Sequence, residues 1–189
     1  MAVKKLSKSL IAAIIIIAVL LVAFSVFLPI YLKYNEPNRE LFEEEVIRIV
    51  AYGSEVGIYT LEELLALDGV GAEDFLATYD TSNSEPIEKT YTGIEIKSVL
   101  LALNVNLENA RSVTFKASDG MTKTYSQQDI VNNNNVFIAY KVNGLDFNTG
   151  IDPFAYTKEA EDGGPYVVIK VSDAYSQNRC KLMVELEVK

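Results

Sequence analysis

The apolar and polar positions of this chain fall into two regimes. Leu10–Leu32 is an uninterrupted apolar run of 23 residues without a charge. Beyond Val46 the pattern breaks into short pieces, each a few residues long and bounded by Gly, Asn, Asp or Pro. A hydrocarbon core about 30 Å thick needs about 20 apolar residues in a helix, so the first run is long enough to span one. The short pieces predict a globular domain.

Val46–Tyr52 (VIRIVAY) is rich in β-branched and aromatic residues and predicts a strand. Thr60 and Glu63 have capping-box spacing ahead of Leu61, Leu64, Leu65 and Leu67, which predicts a short helix ended by Gly69. Asp80–Pro86 reads as a loop, and Ile87–Tyr91 as a strand entering a turn at Gly93. Ile96, Val99, Leu100 and Leu103 lie on one face of a helix ending at Asn104. Val113, Phe115 and Ala117 alternate with polar residues, Asp119-Gly120 turns the chain, and Met121–Tyr125 returns as a hairpin partner. Ser126 and Asp129 cap another short helix, which Asn132–Asn135 breaks. Val136–Tyr140 and Tyr166–Val171 predict buried strands, Asn143-Gly144 a turn, and Leu145–Gly164 an irregular segment. In the last strand Leu182, Val184, Leu186 and Val188 face one way, and Met183, Glu185 and Glu187 the other. The sum is a mixed, strand-rich α+β domain behind a single N-terminal helix.

Charge sharpens this division. All 26 acidic residues lie at or after Glu36, while Lys4, Lys5, Lys8 and Lys33 precede it among 17 basic residues. The segment from Asn35 onward therefore carries a net −13. Residues 1–9 read as a basic cytoplasmic tail and 10–32 as a transmembrane helix, with Tyr31 and Tyr34 at the interface. Residues 33–45 read as a polar stalk and 46–189 as an extracytoplasmic domain, the orientation following the positive-inside rule. A cleaved signal peptide has a shorter apolar region and a small-residue cleavage site, and Phe27–Leu32 supplies neither. No Cys stands directly after the run, which excludes a lipoprotein anchor.

Composition removes much chemistry. There is no His, no Trp and one Cys. That excludes Ser-His-Asp triads, His-liganded haem, Cys-clustered metal sites and intrachain disulfides. The net −13 of the domain repels phosphate backbones, so nucleic acid is not an expected partner.

The order of four segments resembles the molybdopterin-binding domain of the sulfite oxidase family. Tyr91-Thr-Gly-Ile-Glu-Ile-Lys-Ser-Val-Leu100 is similar to that family's aromatic-x-Gly step into a helix. Val113–Tyr125, with Ser118-Asp119-Gly120 inside it, is similar to the strand and Asp-Gly turn that follow. Val136–Gly144 is similar to the apolar strand ending in Asn-Gly, and Asp162-Gly-Gly-Pro165 to the Gly-Gly-Pro loop before a core strand. The resemblance, which covers most of residues 55–189, implies molybdopterin as cofactor. It places the candidate cofactor-binding positions at Tyr79, Asp80, Thr81, Asp119, Asp162, Gly163 and Gly164.

The departures bear on function. The family's molybdenum-ligating Cys falls in the stretch Phe75–Pro86, which here has none, and the lone Cys180 matches a structural part of the family. The Arg that usually follows Gly-Gly-Pro is replaced by Tyr166-Val-Val168, and the family's cofactor-holding His residues are absent. Molybdopterin is anionic and needs Arg, Lys or anion-binding backbone. Lys158, Lys170 and Arg179 are candidates for a basic patch, and Gly163-Gly164 for a backbone nest. The expectation is a membrane-anchored binding module for a small ligand or an envelope protein, without catalytic or metal-ligating residues. Two alternatives stay open: a molybdopterin-dependent oxidoreductase with a non-Cys metal environment around Tyr79, Asp80 or Thr81, and an envelope assembly or sensing protein unrelated to pterins.

Overall fold

Apolar runs of different length give this chain one long helix and ten short strands among the described residues. A computed structural model describes residues 8–80, 85–149, 158 and 160–189. The chain divides into two units, Met1–Pro37 and Asn38–Lys189.

Helix α1 spans Lys8–Glu43. Its stretch Ile14–Tyr31 has a mean hydropathy of 2.9 and none of it is buried by protein. One helix is therefore long and apolar enough to cross a membrane. The Ser25 hydroxyl donates to the carbonyl of Val22 at 2.8 Å, satisfying its polar group within the helix.

In the second unit, the end of α1 differs from the expected solvated stalk. The helix continues to Glu43, and Leu41 is buried against Val46 and Val184. The charges of residues 33–45 hid this, because Leu41-Phe42 is a short apolar pair among carboxylates.

The first sheet runs in the order β2-β1-β10-β5-β6. Its strands are β1 (Val46–Ala51), β2 (Ser54–Thr60), β5 (Ser112–Ala117), β6 (Thr122–Ser126) and β10 (Met183–Val188). β1 and β10 are parallel, and the other neighbours are antiparallel. The second sheet contains β3 (Ala72–Tyr79), β4 (Ile87–Glu95), β7 (Val136–Val142), β8 (Leu145–Asp146) and β9 (Val167–Lys170). β4 lies on one side of β7, and β8 and β9 share its other side. Short helices α2 (Leu61–Leu65), α3 (Ile96–Ala102) and α4 (Gln127–Val131) connect strands. The mixed, strand-rich α+β architecture is thus present.

Both expected capping boxes form. Thr60 and Glu63 bond reciprocally at the start of α2, and Ser126 and Asp129 at the start of α4. The hairpin turns Asp119-Gly120 and Asn143-Gly144 occur where expected, with Asn143, Gly120 and Gly144 at positive φ. β2 was not anticipated. It is a largely exposed edge strand, reached through a Tyr52-Gly53 turn with both residues at positive φ.

Two expectations need correction. Gly93 is not a turn. β4 runs through it, with a register shift between Thr92 and Gly93. A Cβ at Gly93 would lie 2.6 Å from the carbonyl oxygen of Ile138, so close strand approach is what demands glycine. The last strand does not alternate as predicted either. A bulge between Met183 and Glu185 puts Met183 in the main core with Leu186 and Val188. Val184 turns to the other face, against Leu41 and Val46.

The main core joins both sheets: Ile47, Ile49, Phe115, Leu186 and Val188 from the first, Ile94, Ile138 and Val168 from the second, with Val99 and Leu100 of α3. A second, smaller cluster lies around Tyr91, Ala139, Val142, Phe147, Val167 and Ile169. Phe75 stacks between Phe137, at 4.1 Å, and Tyr91, at 5.8 Å between ring centroids. This second cluster supports the candidate site.

On the first sheet, Glu185 is buried yet paired with Arg48 and with Lys116, the latter at 2.6 Å. Elsewhere the Ser126 hydroxyl holds the Asp129 carboxyl below its ordinary value of 3.8, helped by Lys170 and opposed by partial burial. A depressed carboxyl contributes stability that is present above its unfolded value and lost as pH falls through its folded one. Acid unfolding of the wild type should therefore include a component below pH 3.8 that Asp129→Asn lacks. Tyrosine near-ultraviolet circular dichroism during acid titration of the two proteins measures it.

Candidate functional site

A cavity of about 660 Å³ opens between the β5–β6 turn, the segment around Asn148, the Asp162-Gly163 loop and residues 176–182. Such a volume suits a small ligand. Its wall includes Asp119, Met121, Asn148, Thr149, Asp162, Gly163, Ser176, Gln177, Arg179, Lys181 and Leu182.

Arg179 is the organising group. It is only 4% exposed. A buried guanidinium is costly unless paired and hydrogen-bonded. Its Nη1 donates to the Tyr91 hydroxyl at 2.7 Å and lies 3.4 Å from Glu161 Oε2. Its Nη2 donates to the carbonyl of Thr78 at 2.7 Å. The Tyr91 hydroxyl in turn donates to Glu161 Oε1 at 2.6 Å, and Lys89 Nζ reaches the same oxygen at 2.9 Å. Lys89 also sits 3.8 Å over the Tyr79 ring, and Arg179 4.6 Å over that of Tyr91. Burial raises the Tyr91 hydroxyl far above its ordinary value of 10.0; the nearby Arg179 charge opposes this and the bond to Glu161 adds to it. Tyr91 is thus a neutral hydrogen-bonding link across the physiological range.

The candidate positions distribute as follows. Asp119, Asp162 and Gly163 line the one cavity. Tyr79 and Asp80 lie beside it: Ser176, a wall residue, donates through its hydroxyl to the Asp80 carbonyl, and the neighbouring Thr78 carbonyl accepts from Arg179. Thr81 lies outside the described residues. Gly164 does not line the cavity; a Cβ there would come within 2.7 Å of Phe147. The backbone N–H groups of Gly163 and Gly164 both donate to the carbonyl of Asn148, at 3.0 and 3.1 Å. Those two donors are therefore engaged inside the loop. A side chain at Gly163, whose φ is +123°, would meet the Lys181 stem at 2.8 Å.

Two of the basic candidates have different roles. Arg179 lines the cavity, whereas Lys170 pairs with Asp129 and Asp173. Cys180 is not part of the cavity wall. It is fully buried in the main core, its backbone bridges Val168, and burial pushes its thiol up to about 12. Glu161 was missed by sequence reasoning. It sits in an acidic run (Glu159-Ala-Glu-Asp162) that reads as solvated surface. Only the long-range approach of Arg179 and Lys89 explains its burial at 7% exposure.

The chain matches no protein-family model and no curated protein sequence.

Removing one member of a buried ion pair strands the other. Arg179→Met should destabilise the domain by about 3–5 kcal/mol. Urea unfolding of the detergent-solubilised chain, followed by the tyrosine near-ultraviolet signal, checks this. Glu161→Gln, which keeps a hydrogen-bonding side chain in place, should cost less.

Proposed function

We propose that this chain is a membrane-anchored, extracytoplasmic binding module. In this reading, its outer domain has the fold type of the sulfite oxidase family's molybdopterin-binding domain but binds a small ligand or a partner protein without oxo-transfer chemistry. The observation that carries the reading is the cavity over Arg179. It is roomy, Arg179 is held in its wall by bonds to Tyr91 and Thr78, and Asp119 and Asp162 stand on the same wall. The sole thiol supports the non-catalytic side of the reading, because Cys180 lies in the apolar core with a pKa raised to about 12. A molybdenum-ligating thiolate needs the opposite environment, exposed and electropositive. The engaged Gly163 and Gly164 amides also take away the backbone nest that the pterin phosphate would need. The membrane side rests on the 2.9 mean hydropathy of Ile14–Tyr31 and on the Lys residues ahead of it.

The test is elemental analysis and pterin fluorescence of the full chain, purified in detergent from a host that makes molybdopterin. The expected result is no molybdenum and no pterin above background. Stoichiometric amounts of both would overturn the reading in favour of a molybdopterin-dependent oxidoreductase with a non-Cys metal environment near Tyr79 and Asp80.

A further inference from the structure

We infer that the cavity over Arg179 takes a small zwitterion, with a carboxylate at one end, an ammonium at the other and an apolar middle. This deepens the binding-module reading and rests on it.

Of the buried charged cluster Arg179 alone lines the cavity; behind it, Lys89 and Arg179 share Glu161, the one carboxylate in ion-pair reach of either among the described residues. The floor therefore holds one positive charge in excess. A guanidinium has five N–H donors. Three contacts to Tyr91, Glu161 and Thr78 occupy only part of that set. A ligand carboxylate at the floor supplies the missing negative charge and accepts from the remaining donors. Arg179, Ser176 and Asn148 are each more than nine-tenths buried on this wall, so the floor is built into the fold.

The exposed end has the opposite sign. Asp119, Asp162 and Lys181 are wall residues exposed to solvent, which leaves one negative charge in excess at the rim. Asp119 Oδ1 accepts from the Met121 amide at 2.9 Å, and Asp162 Oδ1 from Asn148 Nδ2 at 3.2 Å. These bonds orient both carboxylates and leave the Oδ2 atoms without a partner among the described residues. A ligand ammonium at the rim meets them. The net −13 of the segment from Asn35 onward favours approach with that end leading. Met121 and Leu182 add apolar wall to the same cavity. A positive floor and a negative rim disfavour a plain anion at the mouth and a plain cation at depth.

The experiment uses the full chain in detergent micelles and isothermal calorimetry. The probes are the standard L-amino acids and glycyl dipeptides, followed by the N-acetyl and the amide forms of the best binder. The expected result is saturable binding of an apolar zwitterion, with either capped form weakened roughly tenfold or more, as expected for a lost charge-assisted contact. Asp119→Asn/Asp162→Asn, both on the exposed rim, should abolish the preference for the free ammonium while leaving the unfolding midpoint unchanged. Binding by none of the probes overturns the inference, as does equal or tighter binding of the N-acetyl form. The binding-module reading falls separately, through the molybdenum and pterin result.

Discussion

The burial of one guanidinium organises the ligand-facing side of this domain. Arg179 is almost wholly removed from water, so most of its charge has to be met by protein. It is met by groups from three other places in the chain: the end of β3 at Thr78, the middle of β4 at Tyr91, and the loop at Glu161. Lys89 joins the same carboxylate from two residues before Tyr91. The contacts span sequence separations from 18 to 101 residues, so the cluster forms only when the second sheet and the loop around it are in place. Ser176 then ties the same region to Asp80, and Gly163 and Gly164 close the loop on Asn148. The cavity is the space these ties leave open.

The apolar frame explains why the cluster can afford to be polar. Tyr91 is fully buried in the second cluster, stacked with Phe75 and Phe147, and only its hydroxyl reaches the charged groups. The two glycines of the Gly163-Gly164 step permit close packing against Lys181 and Phe147. Cys180, next to Arg179, faces the other way into the main core. Adjacent residues of one extended segment thus serve two compartments, as the alternation of side chains along such a segment requires.

Much of the local structure was legible from the chain because its signals are local. The Thr60–Glu63 and Ser126–Asp129 boxes, the Asp119-Gly120 and Asn143-Gly144 turns and the apolar face of Ile96–Leu103 each act within a few residues. Features set by partners at a distance were not legible. A glycine required by the carbonyl of Ile138 looks in sequence like a glycine required by a turn, which is why Gly93 misled. The bulge at Met183–Glu185 reverses facing by one residue, and its cause lies in pairing with β5. β2 was hidden because an exposed edge strand such as Ser54–Thr60 has no continuous apolar pattern. At the site, Asp119, Asp162 and Gly163 came from the family resemblance, through its Asp-Gly turn and Gly-Gly-Pro loop, whereas Glu161 was lost in a run of acids. The aromatic at Tyr91 was noted for its place before a glycine, and its role as a hydrogen-bonding link appears only with Arg179 beside it.

Hydrogen–deuterium exchange of the full chain, comparing wild type with Arg179→Lys, tests most directly whether this guanidinium holds the cavity together. Lysine keeps the charge but cannot reach Tyr91, Glu161 and Thr78 at once. The account predicts faster exchange at residues 78–80 and 160–164, with the paired amides of β1, β5 and β10 still protected. Unchanged protection at 78–80 and 160–164, or a uniform loss across both sheets, would contradict it.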